Sequence, residues 1–132
     1  LLSKEEEALK MFDLINLERI NESIDPVLFN QEYSNVAKNY ALKMYLEGFW
    51  CHQDPNNGYY ATDRLREAGF RGKNIQEVSE NLAIASTIYT GHEELMNSES
   101  HRNTILDNEF NRVGIGIISG PTGLIIVQIF SR

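Results

Sequence analysis

The stretch LIIVQIF, residues 124–130, constrains the fold more than any other part of the chain. Successive side chains of a β-strand point to opposite faces of the sheet, and here both alternating sets are apolar. One set is Leu124, Ile126 and Phe130, and the other is Ile125, Val127 and Ile129. Because a strand that is apolar on both faces must be covered on both, the sequence predicts helices on either side of a sheet.

Two further segments are expected to join this sheet. Residues 113–118 (VGIGII) read as a strand, and the turn residues 119–123 (SGPTG) predict that it pairs antiparallel with the stretch 124–130. Residues 80–85 (ENLAIA) also read as a strand, in which Glu80 and Asn81 point to opposite faces.

Amphipathic helices are predicted before and between these strands. The apolar periodicity and the terminal residues favour helices over 4–20, 30–47 and 61–68. The segment 90–93 (TGHE) has the form of a capping box that opens a helix, and residues 101–106 are expected to form a further helical turn. Residues 71–76 read as a polar loop. We therefore predict an α+β fold, a three-layer α-β-α sandwich with a small antiparallel sheet, formed by residues 1–132 as one domain.

Composition excludes some classes of partner. The net charge is −7 without a cluster of lysine or arginine, which argues against nucleic acid or an anionic membrane surface. No apolar run is long enough to be a membrane span. We expect any signal peptide or lipid anchor to lie upstream of Leu1, so that contact with a membrane would come only through that anchor. With Cys51 as the single cysteine, no internal disulfide is expected.

The densest polar stretch is SESHRNTIL, residues 98–106, and we expect it to place His101 at the rim of a cleft. Two earlier residues are predicted to face it, His52 and Glu80. Two imidazoles and a carboxylate suit a Zn²⁺ site with water in an open position, and they also suit acid–base chemistry. Their separations of 28 and 21 residues match no local metal motif, so spacing alone gives a weak signal.

Each polar residue also has a structural interpretation. His52 can close a turn through a backbone carbonyl, and Arg102 is expected to be an internal strut. His92 is expected to be exposed and inert, and Cys51 to be a small buried hydrophobe. Ser98 and its neighbours lack a nucleophile elbow, which argues against a serine hydrolase.

Several motifs together resemble one known family. They are FWCH (49–52), SENLA (79–83), LMNSESHRNTIL (95–106), VGIG (113–116) and VQIF (127–130). In order and spacing they resemble the bacterial branch of the CAP superfamily, the SCP-like group that includes cysteine-rich secretory, antigen 5 and pathogenesis-related-1 proteins. The resemblance implies an α-β-α sandwich and a cleft with two histidines and two acidic residues, which in some members holds Zn²⁺.

The resemblance also implies roles for particular residues. His52 and His101 take the places of the two histidines, and Glu80 takes the place of one acid, which would make these three the metal ligands. The other acidic position falls at about Ser98, next to Glu99. Arg102 and Asn81 are expected to support the cleft. With one acid fewer, Zn²⁺ is expected to bind weakly or not at all.

Our leading hypothesis is a secreted or surface-exposed bacterial module that is non-enzymatic and binds an unidentified protein or lipid. The alternative is a zinc-dependent hydrolase or protease that uses the same cleft. Carriage of a lipid or sterol is treated as a form of the binding hypothesis, since two helical layers can enclose an apolar groove.

Overall fold

The computed structural model describes residues 1–75 and 77–132, except for the side chains of residues 73 and 74. The α-helices of this part of the chain are α1 (Lys4–Asn21), α2 (Gln31–Glu47), α3 (Ala61–Glu67), α4 (Ile88–Asn97) and α5 (Glu99–Ile105), and a 3₁₀ turn spans Gly72–Ile75. The strands are β1 (Leu28–Phe29), β2 (Val78–Ala85), β3 (Arg112–Gly120) and β4 (Gly123–Ser131). No described helix combines the length and the apolarity needed to cross a bilayer.

The strands form one sheet in the order β1-β3-β4-β2. The hairpin of β3 and β4 pairs antiparallel as predicted, and β2 pairs antiparallel with β4 along its full length, from Val78 opposite Ser131 to Ala85 opposite Leu124. Strand β1 pairs parallel with β3, so the sheet is mixed. The sequence did not predict β1, because two residues are too few to show an alternation. Strand β2 is therefore the outer strand on one side.

Two apolar cores separate the layers and confirm the α-β-α sandwich. One core joins α1, α4 and α5 to one face of the sheet, and the other joins α2 and α3 to the opposite face. Ile126 and Phe130 of β4 lie in the first core, whereas Val127 and Ile129 lie in the second, as the alternation predicted. Burial of both faces accounts for the continuous apolar sequence of β4.

Helix α2 packs unusually close to β3. A Cβ atom added at Gly116 would lie 2.1 Å from the backbone nitrogen of Lys38, and one at Gly114 would lie 2.4 Å from the nitrogen of Ser34. Any side chain at either glycine would therefore collide with the helix backbone. The VGIG pattern is explained by this close contact rather than by a turn.

On the outer edge of β3, a side-chain hydroxyl takes the place of a neighbouring strand as a hydrogen-bond partner. The main-chain N–H of Asn30 donates to the carbonyl of Val113, and the next donor of the ladder, the N–H of Ile115, finds the Ser34 hydroxyl at 2.9 Å. That hydroxyl donates in turn to the carbonyl of Asn30 at 3.0 Å. The side chain of Ser34 thus takes the place of the next strand residue.

Arg19 connects α1 to distant segments from a fully buried position. Its guanidinium donates four hydrogen bonds of 2.7–3.0 Å to main-chain carbonyls, those of Asp25, Ile105, Asp107 and Phe110. Burial lowers the pKa of Arg19, opposed by the charges of Asp107 and Asp25. These bonds fix the chain that leads from the end of α5 toward β3.

Three predictions were wrong in detail. Helix α4 begins earlier than expected, since Thr87 is its N-cap and accepts from the backbone N–H of Thr90, so the capping box at residues 90–93 is not the start. His92 is consequently on the inner side of α4, buried, with Nε2 2.8 Å from Oε2 of Glu18 on α1. Cys51 is exposed rather than buried.

The polar segment 71–76 was expected to be a loop. Its residues 72–75 form the 3₁₀ turn, in which Ile75 is buried in the core beneath α2 and α3. Residue 76 lies outside the described residues.

Candidate functional site

The structure brings two of the predicted site residues into contact, His52 and Glu80, whereas His101 lines a separate hollow further along the same outer strand, β2. His52 lies on the segment 48–60 between α2 and α3, and Glu80 lies on the face of β2 turned toward that layer. His101 lies on α5, in the opposite layer, and its main-chain carbonyl accepts from the Asn81 side chain at 3.3 Å. Because β2 is the outer strand of the sheet formed by residues 1–75 and 77–132, residues from both layers can reach around its edge.

His52 is oriented by a carboxylate. Its Nδ1 lies 2.9 Å from Oε1 of Glu80, whose side chain is only 4% exposed. An ionised carboxylate accepts hydrogen bonds only, so Nδ1 of His52 is the donor. In the neutral ring the proton is therefore on Nδ1, and Nε2 carries the lone pair.

The second oxygen of Glu80 is used by an arginine. Nη2 of Arg64, on α3, lies 2.5 Å from Oε2 of Glu80. Nη1 of Arg64 donates to the carbonyls of His52 and Tyr59, at 3.2 and 3.0 Å. One guanidinium thus neutralises the carboxylate and holds the backbone of the histidine that the carboxylate orients.

Tyr40 supports this arrangement from α2. The Arg64 guanidinium stacks on its ring, 3.3 Å from the centroid. Its hydroxyl donates to the carbonyls of Cys51 and His52, at 2.5 and 3.1 Å. Burial raises the pKa of Tyr40 to about 12, so the phenol stays protonated and remains a donor.

His101 is held by a neutral partner instead. Its Nδ1 lies 2.9 Å from the hydroxyl of Ser98, the residue at the position where the family resemblance implies an acid. Burial lowers the pKa of His101, and the charge on His52 lowers it further. His101 is therefore mainly uncharged at neutral pH.

The predicted supporting residues make main-chain and side-chain contacts behind the cleft. Asn81 is buried and donates to the Gln128 side chain at 3.2 Å as well as to His101. Arg102 donates to the carbonyl of Met96 at 2.9 Å, which ties the start of α5 to the end of α4. Both contacts position the segment that carries His101.

Two open hollows lie along β2. The first has a volume of about 320 Å³ and is lined by His52, Tyr60, Ala61, Thr62, Val78, Ser79 and Glu80. The second has a volume of about 350 Å³ and is lined by Trp50, Leu82, Ala83, Ile84, Glu94, Leu95, Ser98 and His101. Glu94 of α4 lines the same hollow as His101.

Sequence reasoning identified His52, Glu80 and His101 but missed Arg64 and Tyr40. Tyr40 was assigned only to the apolar stripe of α2, and Arg64 was not singled out within the short helix. The available signal was the acid itself, since a carboxylate on an apolar strand needs a cationic partner. The sequence offers many arginines and lysines, and it does not show which one is close.

A divalent metal in this cleft would need several free donor atoms from the protein. A Zn²⁺ site uses three or four protein ligands. Both oxygens of Glu80 bond to His52 and Arg64, and across residues 1–75 and 77–132 no three His, Cys, Asp or Glu side chains are grouped to share an ion. The ligand set His52, Glu80 and His101 stays a prediction.

Comparisons with known proteins agree with the fold and the motifs. The model of the cysteine-rich secretory protein family, CAP, matches residues 12–130. Protein YkwD of Bacillus subtilis, which is uncharacterised, is 29% identical over 112 residues, covering 83% of this chain and 41% of YkwD.

Solved structures show the same architecture. An extracellular SCP-domain protein of Bacillus anthracis superposes with a TM-score of 0.85 at 24% identity, over 100% of this chain and 44% of that one. An outer surface protein of Borrelia burgdorferi gives 0.87 at 17% identity, over 99% and 96%. This chain therefore spans less than half of two of these relatives and nearly all of the third.

Proposed function

The chain belongs to the CAP family of cysteine-rich secretory proteins, and from that premise we propose that it is an extracellular binding module. It holds a protein or lipid ligand in the cleft at β2 and does not convert it chemically. Any divalent metal binds weakly, through His52 and His101.

The observation that carries this proposal is that both carboxylate oxygens of Glu80 already have partners within the protein. Both of its oxygens are hydrogen-bonded, one to His52 and one to Arg64, so that its charge is compensated inside the protein. A carboxylate held in this way is a poor general base, because a base must be free to take a proton from a bound water or substrate. Ser98, beside His101, supplies no second carboxylate. The cleft has the shape of a binding site without the usual acid–base pair.

The extracellular location rests on the relatives. One structural relative is described as an extracellular protein of Bacillus anthracis and another as an outer surface protein of Borrelia burgdorferi. We propose the same location for this chain, with attachment to a membrane, if any, through a lipid anchor upstream of Leu1.

The test is a search for turnover. The purified chain and its His52→Ala variant are incubated with panels of protein, peptide, lipid and glycan substrates, with and without added Zn²⁺. We expect no product above the buffer control. Robust turnover that disappears in His52→Ala would overturn the proposal.

The ligand class is tested separately. Protein purified under native conditions is extracted with organic solvent, and the extract is analysed by mass spectrometry. A co-purifying lipid would favour the lipid form of the module, and an empty extract would favour a protein ligand.

A zinc-dependent hydrolase is the second candidate, and one observation favours it. The pKa of His101 is lowered, which keeps its ring neutral and able to accept a proton near pH 7. This candidate requires a metal, so isothermal titration with Zn²⁺ at neutral pH tests it. Absence of binding at about millimolar Zn²⁺ would exclude it.

A further inference from the structure

A further pocket lies outside the cleft, between two helices and a loop. It is formed by one side of α2 (residues 36–43), the end of α3 (residues 64–68) and the loop 54–59, and we call it the α2–α3 pocket. It shares no lining residue with the two hollows along β2. Its volume is about 320 Å³, at the small end of the range for small-molecule sites.

Hydrogen bonds hold the loop side of the α2–α3 pocket in place. The backbone N–H of Asp54 donates to the carbonyl of Tyr59 at 2.9 Å, and the N–H of Gly58 donates to the carbonyl of Asp54 at 2.8 Å. The side-chain oxygen of Asn57 accepts from the N–H of Tyr59 at 2.9 Å. Arg64 ties this loop to α3, since its Nη1 donates to the carbonyl of Tyr59 at 3.0 Å. The pocket is therefore formed before a ligand enters, which lowers the ordering cost of binding.

The cations that line the pocket are already neutralised. Lys43 forms an ion pair with Asp54, whose side chain is 1% exposed. Burial alone would raise the pKa of Asp54, but the contacts with Lys43 and with the N–H of Asn56 outweigh it and lower the pKa, so the pair is ionised. Arg64 is paired with Glu80. Within the described lining, no cation is left to pair with a phosphate or carboxylate ligand.

The polar groups that remain open are two amides and one acid. In the described part of the chain, no hydrogen bond or ion pair occupies the side chains of Asn39 and Glu67, and both residues are exposed. Asn57 uses its side-chain oxygen in the loop, so its NH₂ group is available. Amides both donate and accept hydrogen bonds, and a carboxylate accepts them. Hydroxyl groups, which also do both, match this set.

An aromatic ring and small apolar side chains complete the lining. Tyr59 is half-buried, and Val36 and Ala68 line the same pocket. The ring of Tyr40 is covered by the Arg64 guanidinium, 3.3 Å from its centroid, so Tyr59 is the ring available to a ligand. An aromatic ring can cover an apolar C–H face while amides at the rim bind the polar edge.

We propose that the α2–α3 pocket binds a neutral saccharide, with hydroxyl groups bonded to Asn39, Asn57 and Glu67 and a C–H face packed on Tyr59. The volume suits about one pyranose unit. This inference goes beyond the binding function proposed for the cleft at β2 and does not depend on it.

NMR of the ¹⁵N-labelled chain tests the proposal, because the side-chain amides of Asn39 and Asn57 give signals of their own. The probes are glucose, galactose, mannose and N-acetylglucosamine, each as the free sugar and as its methyl glycoside, titrated to about 20 mM. We expect saturable shifts at the two amides and at residues 57–59 with at least one sugar. Equal binding of both forms would support the terminal unit of a glycan as ligand, and a preference for the free form would support a free sugar.

Variants of the lining locate the contacts. We expect Asn39→Ala, Glu67→Ala and Tyr59→Leu each to raise the Kd by about threefold or more. Asn35→Ala is the matched control for Asn39→Ala, since Asn35 is an exposed asparagine on the same helix that does not line the pocket. It should leave the Kd unchanged.

The outcomes separate this inference from the function proposed for the cleft. No saturable shift with any sugar, or equal effects of Asn39→Ala and Asn35→Ala, would overturn the saccharide site. Tighter binding of glucosamine or glucuronate than of the neutral sugars would overturn the assignment to a neutral ligand. Saturable shifts confined to residues 78–84 would also overturn this site, while supporting the cleft at β2 as the place of binding.

Discussion

Two arginines with little or no exposure lie on opposite faces of the sheet and are satisfied in different ways. Arg19, on α1, donates only to main-chain carbonyls and is fully buried. Arg64, on α3, is 11% exposed and divides its contacts among the Glu80 carboxylate, two carbonyls and the face of Tyr40. The first arginine holds chain segments together, and the second sets the charge and orientation of the cleft.

The comparison shows how to recognise a functional charge in this fold. Arg19 has its charge compensated only by carbonyl dipoles, so removing it affects stability and leaves the cleft groups in contact with each other. Arg64 contacts a group that itself orients His52. Its removal should therefore change both the stability and the titration of the cleft.

Arg19→Met should give the largest effect on stability. It leaves four carbonyls without their donor, and we expect the free energy of unfolding to fall by about 3–5 kcal/mol. Urea denaturation followed by circular dichroism measures this loss. Lys10→Met, an exposed change on the same helix, is the control and should stay within about 0.5 kcal/mol of the parent. A loss of less than about 1 kcal/mol for Arg19→Met would contradict the structural role.

Arg64→Met should cost less, about 2–3 kcal/mol, because Glu80 keeps His52 as a partner near solvent. The double variant Arg64→Met with Glu80→Gln tests the cause. If the loss comes from an uncompensated carboxylate, the second change should restore part of it, with a coupling energy of about 1–3 kcal/mol. Strictly additive losses would show that the two residues do not act as a pair.

Arg102→Met extends the series to an arginine with a single contact. It loses one hydrogen bond to the carbonyl of Met96, and we expect a loss of about 1 kcal/mol. The same urea titration applies. A loss as large as that of Arg19→Met would break the relation between the number of contacts and stability.

His52→Asn should have the smallest effect, confined to the titration of His101. The charge of His52 is the second cause, after burial, of the lowered pKa of His101. Without it, the pKa should move back toward the usual 6.5, which NMR of the ring protons measures. An unchanged pKa would show that the two rings do not interact.

The lowered pKa of His101 also has a stability consequence whose sign is fixed. The unfolded chain takes up this proton first as the pH falls below about 6.5, while the folded chain resists protonation. The contribution of His101 to stability is therefore complete above that pH. It is lost as the pH falls through the lowered pKa of the folded state.

Much of the fold was predictable because it follows from alternation and periodicity. The sequence 124–130 is apolar on both alternating faces, which was enough to predict that helices cover both sides of the sheet, as the two cores show. Helix α2 ended as predicted at Gly48, which adopts φ of 74°. What failed was decided by partners far along the chain. His92 is buried because Glu18 lies opposite it, 74 residues earlier, and no local pattern contains that contact.

The site was predictable to the level of residue types but not of their bonding. The family motifs pointed to His52, Glu80 and His101, and the structure brings them to one strand edge. That Glu80 is compensated by Arg64, and that Glu94 lines one hollow with His101, depends on the packing of α3 and α4 against β2. Helix packing angles and side-chain rotamers are not encoded in the spacing of apolar residues.

The hydroxyl of Ser34 affects how readily molecules of this protein associate through the edge of the sheet at high concentration. By filling the ladder position next to Ile115, it gives that amide a partner within the chain, so a neighbouring molecule finds no bare donor at this point of β3. Edge-to-edge association through this part of the strand is thereby discouraged.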